Sequence, residues 1–195
     1  EKRADGFHAI ESIFQTISLY DSLELRLIDE TQCRFFVKGM NLEPKNTLTQ
    51  AYEAFRQHTG INKGIEVFVE KHIPAGAGLG GGSSNAAAII KSMDILFETK
   101  LKEDEFLAIA SKVGSDVPFF IKGGAAIVTG RGEIIQSIKQ REDLFFVLIF
   151  PQVHSSTKEA YQQVDKEIES GNSPSGPLLK DLEKMYCESP KNWTF

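Results

Sequence analysis

Glycine and hydroxyl residues are concentrated in one short segment of the chain. Five of the seven residues from Gly76 to Gly82 are glycine, and Ser83 and Ser84 follow them. Such glycine density lets the backbone adopt positive φ angles and approach a ligand without collisions of Cβ atoms. An apolar helical pattern starts directly after the serines, so backbone N–H groups and the positive end of a helix dipole would converge there. The segment therefore predicts an anion site with phosphate as its natural occupant; a plain flexible turn is the alternative.

Three common phosphate-binding patterns do not fit this segment. A Walker A loop ends in Gly-Lys-Ser/Thr, which the chain lacks. The dinucleotide pattern GxGxxG matches Gly76, Gly78 and Gly81, but it needs a second strand with an acidic residue, whereas Asp94 falls inside the predicted helix and another helix follows. The VAIK, HRD and DFG elements of protein kinases are absent.

Hydrophobic periodicity predicts strands and one helix before the glycines, and both helices and strands after them. The N-terminal part is predicted as a β-hairpin of residues 13–20 and 23–28 turning at Asp21-Ser22, strands 33–37 and 65–69, and a helix over 47–58. The remainder is predicted as helices 86–97 and 101–113, a hairpin of 125–128 and 134–138, a buried strand Leu144 to Phe150, helices 156–168 and 178–185, and a flexible loop 170–177 between them.

Composition and charge exclude several classes of protein. The 195 residues correspond to roughly 1.3 domains at ~150 residues per domain. A chain with 41% hydrophobic and 25% charged residues can form a core, and its net charge of −5 argues against binding to nucleic acid or to an anionic membrane surface. Cys33 and Cys187 lie in no metal-binding or disulfide pattern, and no apolar run is long enough to span a bilayer. We expect a cytoplasmic protein.

The glycine segment resembles the central phosphate-binding motif of the GHMP kinases, Pro-x-Gly-x-Gly-Leu-Gly-(Gly)-Ser-Ser. Leu79 and the Ser83-Ser84 pair carry this resemblance. Its longer form, with three consecutive glycines, is similar to the branch that acts on cytidine diphosphate-linked methylerythritol in the non-mevalonate synthesis of isoprenoids. Residues 3–8 followed by Ile13-Phe14-Gln15 resemble the R-x-D-G-Y-H…F-Q signature of that branch, and residues 114–119 resemble its G-A/S-D-V-P-F.

The resemblance implies an α+β fold with the two-domain GHMP kinase architecture. Residues 1–140 would form the N-terminal ATP-binding domain, of the ribosomal protein S5 domain 2-like type, and residues 141–195 the start of a ferredoxin-like C-terminal domain. The implied activity is the ATP-dependent phosphorylation of the 2-hydroxyl of the methylerythritol group. The partner would be this small molecule, with no nucleic acid or membrane, and the protein would be a monomer or weak homodimer.

The resemblance also assigns the cofactors ATP and Mg²⁺ to particular residues. A hydroxyl from Ser83 or Ser84 could reach Mg²⁺, with Ser84 preferred, although serines at a helix start are also common N-caps. Asn46 and Lys71 match positions near the nucleotide but could equally be solvated. The implied nucleotide-binding residues are Pro74, Ala75, Gly76, Ala77, Gly78, Leu79, Gly80, Gly81, Gly82, Ser83, Ser84, Asn46 and Lys71.

Catalysis and substrate recognition fall on residues outside the glycine segment. Asp116 would be the general base for the substrate hydroxyl, a role worth ~10² to 10⁴ in rate. Phe7, His8 and Tyr161 would hold the cytosine by stacking and by hydrogen bonds to its edge, and Phe14 belongs to the same signature. For Tyr161, an ordinary position on an amphipathic helix is the alternative.

Two family motifs are missing from the chain. It begins at Glu1 without the Pro-Ala-Lys-x-Asn strand, for which Lys2 is a poor substitute, and it lacks the glycine motif G-x-G-A that the family carries in its C-terminal domain. We therefore expect a fragment without part of its active site. Another GHMP small-molecule kinase and a non-catalytic nucleotide-binding module are the alternative functions.

Overall fold

The computed structural model describes residues 3–4, 6–151, 156–171 and 179–193. The chain divides into two compact units, Ile17–Gly123 and a second unit made of Glu1–Thr16 with Gly124–Phe195. In chain order the elements are β1 (Ile10–Gln15), β2 (Ser22–Ile28), β3 (Arg34–Val37), α1 (Thr47–Thr59), β4 (Gly64–Glu70), α2 (Gly81–Phe97), α3 (Glu103–Val113), α4 (Val117–Lys122), β5 (Ala125–Gly130), β6 (Ile134–Ile138), α5 (Thr157–Glu169), α6 (Leu179–Cys187) and a 3₁₀ turn (Pro190–Asn192). This mixture confirms the predicted α+β class.

The unit Ile17–Gly123 contains a sheet with the strand order β2-β4-β3 and the helices α1 to α4. β4 pairs with β2 antiparallel and with β3 parallel, and α1 makes the crossover between β3 and β4. Alternate residues of β4, Ile65, Val67 and Val69, are buried because successive side chains of a strand point to opposite faces. They pack with buried side chains of α1, α2, α3 and α4 in one core: Leu48, Ala51, Tyr52, Ala54, Phe55, Ala86, Ala87, Ile89, Ile90, Met93, Ile109, Ala110, Val117 and Ile121.

The other unit contains an antiparallel sheet with the strand order β1-β5-β6. β1 pairs with β5 from Ile10 opposite Gly130 to Gln15 opposite Ala125. The Tyr186 hydroxyl on α6 donates to the side-chain oxygen of Gln15 on β1 and accepts a hydrogen bond of 3.0 Å from the Arg141 backbone N–H. These contacts hold α6 against this sheet.

Most predicted elements are confirmed with small shifts at their ends. Two helices differ from the prediction. The sequence did not predict α4, and α2 begins at Gly81 and so includes the last two glycines. The predicted loop 170–177 lies outside the described residues from 172 onward. The predicted domain boundary after residue 140 falls within the second packing unit, and the assignment of 141–195 to a C-terminal domain stays a prediction.

The predicted N-terminal hairpin is wrong. β1 pairs with β5 and β2 pairs with β4, so the two strands belong to different sheets. Asp21, predicted to form the turn, instead accepts hydrogen bonds from residues that follow β4. Alternating polarity identified both strands correctly, but it carries no information about which strand each would pair with.

The predicted buried strand Leu144 to Phe150 is also wrong. The segment forms no strand and is exposed, with 94% of Phe145, 90% of Val147 and 86% of Ile149 accessible. An apolar run predicts burial only where another layer can cover it, and no strand in the described part of the chain pairs with this segment. Separately, none of the helices in the described ranges has the length and apolar character needed to cross a bilayer.

Candidate active site

The glycine segment forms the turn that leads from β4 into α2. Gly76, Gly78 and Gly80 have φ angles of 72°, 72° and 68°, the region that glycine adopts without a Cβ penalty. Gly80 is the N-cap residue of α2, and no side chain among the described residues caps the helix. The N–H groups of the first turn have no acceptor within the helix. They are therefore free to bind an anion at this end of α2.

Ser83 and Ser84 are the third and fourth residues of α2, so the alternative that they cap the helix is wrong. The Ser84 hydroxyl donates to the Gly81 carbonyl at 2.9 Å, which leaves its oxygen lone pairs as acceptors. An oxygen of this kind fits Mg²⁺, which prefers hard oxygen ligands. Among the residues that the structure describes, no group of three or more His, Cys, Asp or Glu could hold a metal ion. Mg²⁺ at Ser84 stays a prediction, and phosphate oxygens and waters would have to supply its remaining ligands.

The short helix α4 packs directly against the glycine segment. A Cβ atom built on Gly80 would lie 2.6 Å from Cζ of Phe120, so a larger residue at this position would force the Phe120 ring to move. Phe120 is four residues after Asp116, which is the N-cap residue of α4, and Pro118 lies in the first turn. Phe120 was not predicted from the sequence, although its place one helical turn after the proposed base could have indicated that it belongs to the site. Through this contact α4 places Asp116 in the same packed unit as the uncapped helix start.

The Asp116 carboxylate differs from an ordinary surface carboxylate. It makes no capping hydrogen bond, and the described residues provide it with no hydrogen-bond or charge partner that would favour its ionised form. Although the residue is accessible to solvent, the protein atoms around the carboxyl disfavour its charge, and this partial burial raises its pKa. An accessible carboxylate with a raised pKa and free lone pairs can accept a proton from a substrate hydroxyl.

The structure gives Lys71 and Asn46 local partners. The Lys71 ammonium pairs with the Asp21 carboxylate, and its Nζ lies 3.2 Å from the position of a Cβ atom built on Gly81. Asn46 caps α1: its Oδ1 accepts from the backbone N–H groups of Leu48 and Thr49 at 2.9 Å and 3.1 Å. Lys71 is thus beside the start of α2. By contrast, both polar atoms of the Asn46 amide already form hydrogen bonds, Oδ1 within α1 and Nδ2 to the chain before it. Their contacts with a nucleotide stay predictions.

A second group of predicted residues lies in the other unit. The His8 and Tyr161 rings stack with their centroids 4.4 Å apart, and His8 Nε2 makes a hydrogen bond of 2.6 Å to the Asp165 carboxylate. Tyr161 and Asp165 are four residues apart on α5, so they lie on the same side of the helix. Asp165 was missed by the sequence analysis, although its spacing from Tyr161 was the available signal.

Phe7 and Phe14 are close to His8 in the sequence. The Arg131 guanidinium in the turn between β5 and β6 lies 4.9 Å from the centre of the Phe7 ring, a cation–π contact that the sequence analysis did not predict. Phe14 belongs to β1, where it is opposite Ala126 on β5. Asp5 of the same predicted motif lies outside the described residues. The structure therefore brings His8 and Tyr161 together and adds Asp165 and Arg131 to the predicted set.

Comparison with known proteins defines the class to which this fold and site belong. Residues 46–124, from the cap of α1 to the end of α4, match the family described as the GHMP kinases N terminal domain. This range contains the glycine segment and Asp116.

Curated relatives and a solved structure narrow the class. The chain is 44% identical to the 4-diphosphocytidyl-2-C-methyl-D-erythritol kinase of Treponema pallidum, in an alignment covering 100% of the chain and 69% of that protein. It is 43% identical to the enzyme of the same name from Thermotoga maritima, over 96% of the chain and 66% of the relative. A crystal structure of a 4-(cytidine 5'-diphospho)-2C-methyl-D-erythritol kinase superposes with a TM-score of 0.67 at 28% identity, covering 94% of this chain and 65% of the other. The chain belongs to the 4-diphosphocytidyl-2-C-methyl-D-erythritol kinase family, and it spans about two thirds of the length of these relatives.

The contact between Gly80 and Phe120 yields a stability prediction. Gly80→Ala should lower the free energy of unfolding by ~2–4 kcal/mol, because it adds a positive-φ penalty of ~1 kcal/mol to an overpacking cost of ~1–3 kcal/mol. Gly78→Ala is the matched control, since its φ is also positive but a Cβ atom would meet nothing within 4 Å. Urea denaturation measures both. Equal losses in the two variants would contradict the packing argument, and Gly80→Ala combined with Phe120→Leu should recover part of the loss.

The cap at Asn46 yields a second prediction, which separates its two proposed roles. Asn46→Ala should lower the free energy of unfolding by ~1 kcal/mol, and Asn46→Ser should restore most of it because serine also caps helices. An Ala variant as stable as the wild-type protein would exclude the capping role. In the stable Ser variant, a raised KM for ATP would identify a nucleotide contact separate from the cap.

Proposed function

We propose that this protein is an ATP-dependent kinase that phosphorylates the 2-hydroxyl of 4-diphosphocytidyl-2-C-methyl-D-erythritol in the non-mevalonate synthesis of isoprenoid precursors. One observation carries the proposal: an uncapped, glycine-rich helix start packs against the short helix that presents Asp116. Membership of the family supports the choice of substrate.

The residues from Pro74 to Ser84 would hold the phosphates of ATP. ATP supplies the phosphoryl group when bound, and Mg²⁺ offsets the charge of its phosphates. The first-turn N–H groups of α2 and the helix dipole favour negative charge, and the glycines allow the backbone to approach closely. Ser84 would contribute an oxygen to Mg²⁺. Because these donors are fixed before the ligand arrives, they need little rearrangement when charge develops.

Asp116 would act as the general base on the substrate. Its carboxylate takes the proton of the 2-hydroxyl, which makes the hydroxyl oxygen a better nucleophile. Burial raises the pKa of Asp116 and so brings its basicity closer to the pH at which the enzyme works. The absence of a hydrogen-bond partner within the described residues leaves the carboxylate oxygens available for this proton.

His8, Tyr161, Phe7 and Phe14 would recognise the cytosine end of the substrate. An aromatic face can stack on the base, and a histidine nitrogen can bond to its polar edge. The Asp165 carboxylate fixes the position of the His8 ring through Nε2, so Nδ1 is left for the ligand. The stacking of His8 on Tyr161 keeps both rings in a defined orientation.

The role of Asp116 is tested by Asp116→Asn in a full-length protein that also contains the Pro-Ala-Lys-x-Asn strand. Turnover should fall by ~10² to 10⁴ while the KM for ATP stays nearly constant, because the amide cannot accept the proton. Turnover of the wild-type enzyme should decline as the pH falls through the raised pKa of Asp116, since protonation removes the base. Steady-state kinetics as a function of pH measure both effects.

The same variant has an expected effect on stability with the opposite sign. A raised pKa in the folded state means that ionisation of Asp116 opposes folding, a cost that is absent at low pH and appears as the pH rises through that pKa. Asp116→Asn should therefore be at least as stable as the wild-type protein at neutral pH, with no difference in acid. Asp104→Asn, at an exposed position in the first turn of α3, is the control and should leave turnover unchanged. A stable Asp116→Asn enzyme with normal turnover would sink the base assignment.

Substrate recognition is tested at Tyr161. Tyr161→Ala should weaken binding of the cytidine substrate by ~1–3 kcal/mol, the usual value of stacking on a base, and Tyr161→Phe should keep most of the affinity. Calorimetric titration with a cytidine nucleotide measures the change, and the KM for ATP provides the internal control. If both substitutions weaken the two ligands equally, Tyr161 has no specific role at the base.

A further inference from the structure

Asp21 is a buried carboxylate that neither the predicted fold nor the proposed reaction accounts for. It lies directly before β2, and its side chain has 0% exposed surface. Oδ1 accepts hydrogen bonds from the backbone N–H groups of His72 and Ile73 at 2.7 Å and 2.8 Å. Oδ2 accepts from Lys71 Nζ and from Asn85 Nδ2, the latter at 2.9 Å. One carboxylate thereby joins three separate parts of the chain.

Two of these parts are the two ends of the glycine segment. His72 and Ile73 immediately precede Pro74, and Asn85, which is only 4% exposed, immediately follows Ser84 on α2. The ends also meet directly, since Cγ2 of Ile73 lies 3.0 Å from a Cβ position on Gly81. A loop with this much glycine has many accessible conformations in the absence of restraints. The contacts of Asp21 fix where the loop enters and where it leaves.

The charge of Asp21 is well supported at this position. Burial acts to raise the pKa of its carboxyl, but the hydrogen bonds from Lys71, from the Ile73 and His72 backbones and from Asn85 outweigh it, and the pKa is lowered. The carboxylate therefore stays ionised at neutral pH and keeps all of its donors. Lys71, which is beside Gly81, is held in place by the same pair.

We propose that Asp21 is a positioning residue for the phosphate-binding loop: by binding both ends of residues 74–84, it holds the loop and Lys71 in the arrangement that receives the phosphates of ATP. The inference rests on the proposed function in that it takes the ligand of the loop to be a nucleotide phosphate. It assigns Asp21 no contact with ATP or with the reacting hydroxyl. Its effect on binding passes through the backbone of the glycine segment.

The test compares Asp21→Asn with Glu70→Gln in the intact protein. Asparagine keeps an acceptor for the backbone N–H groups, but its NH₂ group faces the donors of Lys71 and Asn85. Glu70→Gln removes a carboxylate one residue before Lys71. In the part of the chain that the structure describes, this carboxylate pairs with exposed Lys38 at 3.2 Å, so the change in charge is matched without touching the loop. The readouts are the Kd of ADP, the KM of each substrate, and amide hydrogen exchange of residues 76–84.

Asp21→Asn should raise the Kd of ADP and the KM of ATP by on the order of 10-fold to 100-fold, the loss typical of removing a side chain that orients a binding group. Exchange in the loop should become faster while exchange in α1 and the KM of the cytidine substrate stay constant. Glu70→Gln should match the wild-type protein in every readout. An Asp21→Asn protein that binds ADP normally, or in which α1 loosens as much as the loop, overturns the proposal.

A second variant covers the case in which Asp21→Asn does not fold. Asn85→Ala removes only the contact at the exit of the loop and leaves the other donors of Asp21 in place, so it should show the same pattern at smaller size. Ile109→Val, a small deletion in the core at α3, supplies a destabilised control, in which the affinity for ADP should not change. Normal ADP affinity in Asn85→Ala would also overturn the proposal. Failure of the wild-type protein to bind ADP would instead contradict the proposed function, so the two failures can be told apart.

Discussion

The start of α2 has no side-chain cap among the described residues, and neighbouring side chains of the unit Ile17–Gly123 pack closely around it. A capping side chain would satisfy the first-turn N–H groups from within and remove the donors that an anion needs. Glycine avoids the cap but makes the backbone flexible. The neighbouring side chains restore rigidity, because Phe120 packs on Gly80, Ile73 on Gly81 and Thr47 on Gly82. The donors are thus unsatisfied and fixed at once, which is the condition for electrostatic stabilisation of a charged ligand.

The sequence predicted the elements whose stability depends on their own periodicity. α1, α3 and β4 carry apolar residues at regular spacing, and each forms within a few residues of the predicted bounds. Pairing between strands was not predictable in this way, because β1 and β2 have similar alternation but different partners. The partner of each strand is decided by contacts distant in sequence, including those that Asp21 makes 51 and 52 residues further along the chain. The prediction of a buried strand from Leu144 to Phe150 was wrong for a related reason. An apolar pattern needs a covering layer to be buried, but it does not supply that layer.

The candidate site also contains two kinds of residue: those that a sequence motif carries, and those that only contacts distant in sequence identify. The sequence could propose its glycines and Asp116 because each lies in a contiguous motif, and the structure adds residues that contact the proposed ones. Phe120, Asp21 and Asp165 act on residues that were predicted, namely Gly80, Lys71 and His8. None of the three belongs to a motif, so only the folded chain shows their partners. Positioning residues of this kind are harder to find in a sequence than the groups that they support, because their chemistry is defined by a neighbour.

Asp21 and Asp116 show why residue type alone could not separate these roles. Each aspartate directly precedes an element of the fold, Asp21 before β2 and Asp116 before α4. In the fold, donors surround the Asp21 carboxylate and lower its pKa, whereas burial without donors raises the pKa of Asp116. The ionised form of Asp21 stabilises the fold, and that of Asp116 opposes it, because a pKa shift measures the difference between folded and unfolded states. Two carboxyl groups of one unit whose environments move their pKa values apart are suited to different tasks. Asp21 is therefore suited to be a permanently charged group that keeps the loop in place. Asp116 is suited to be a base, because the folded protein becomes more stable when its carboxylate takes up a proton.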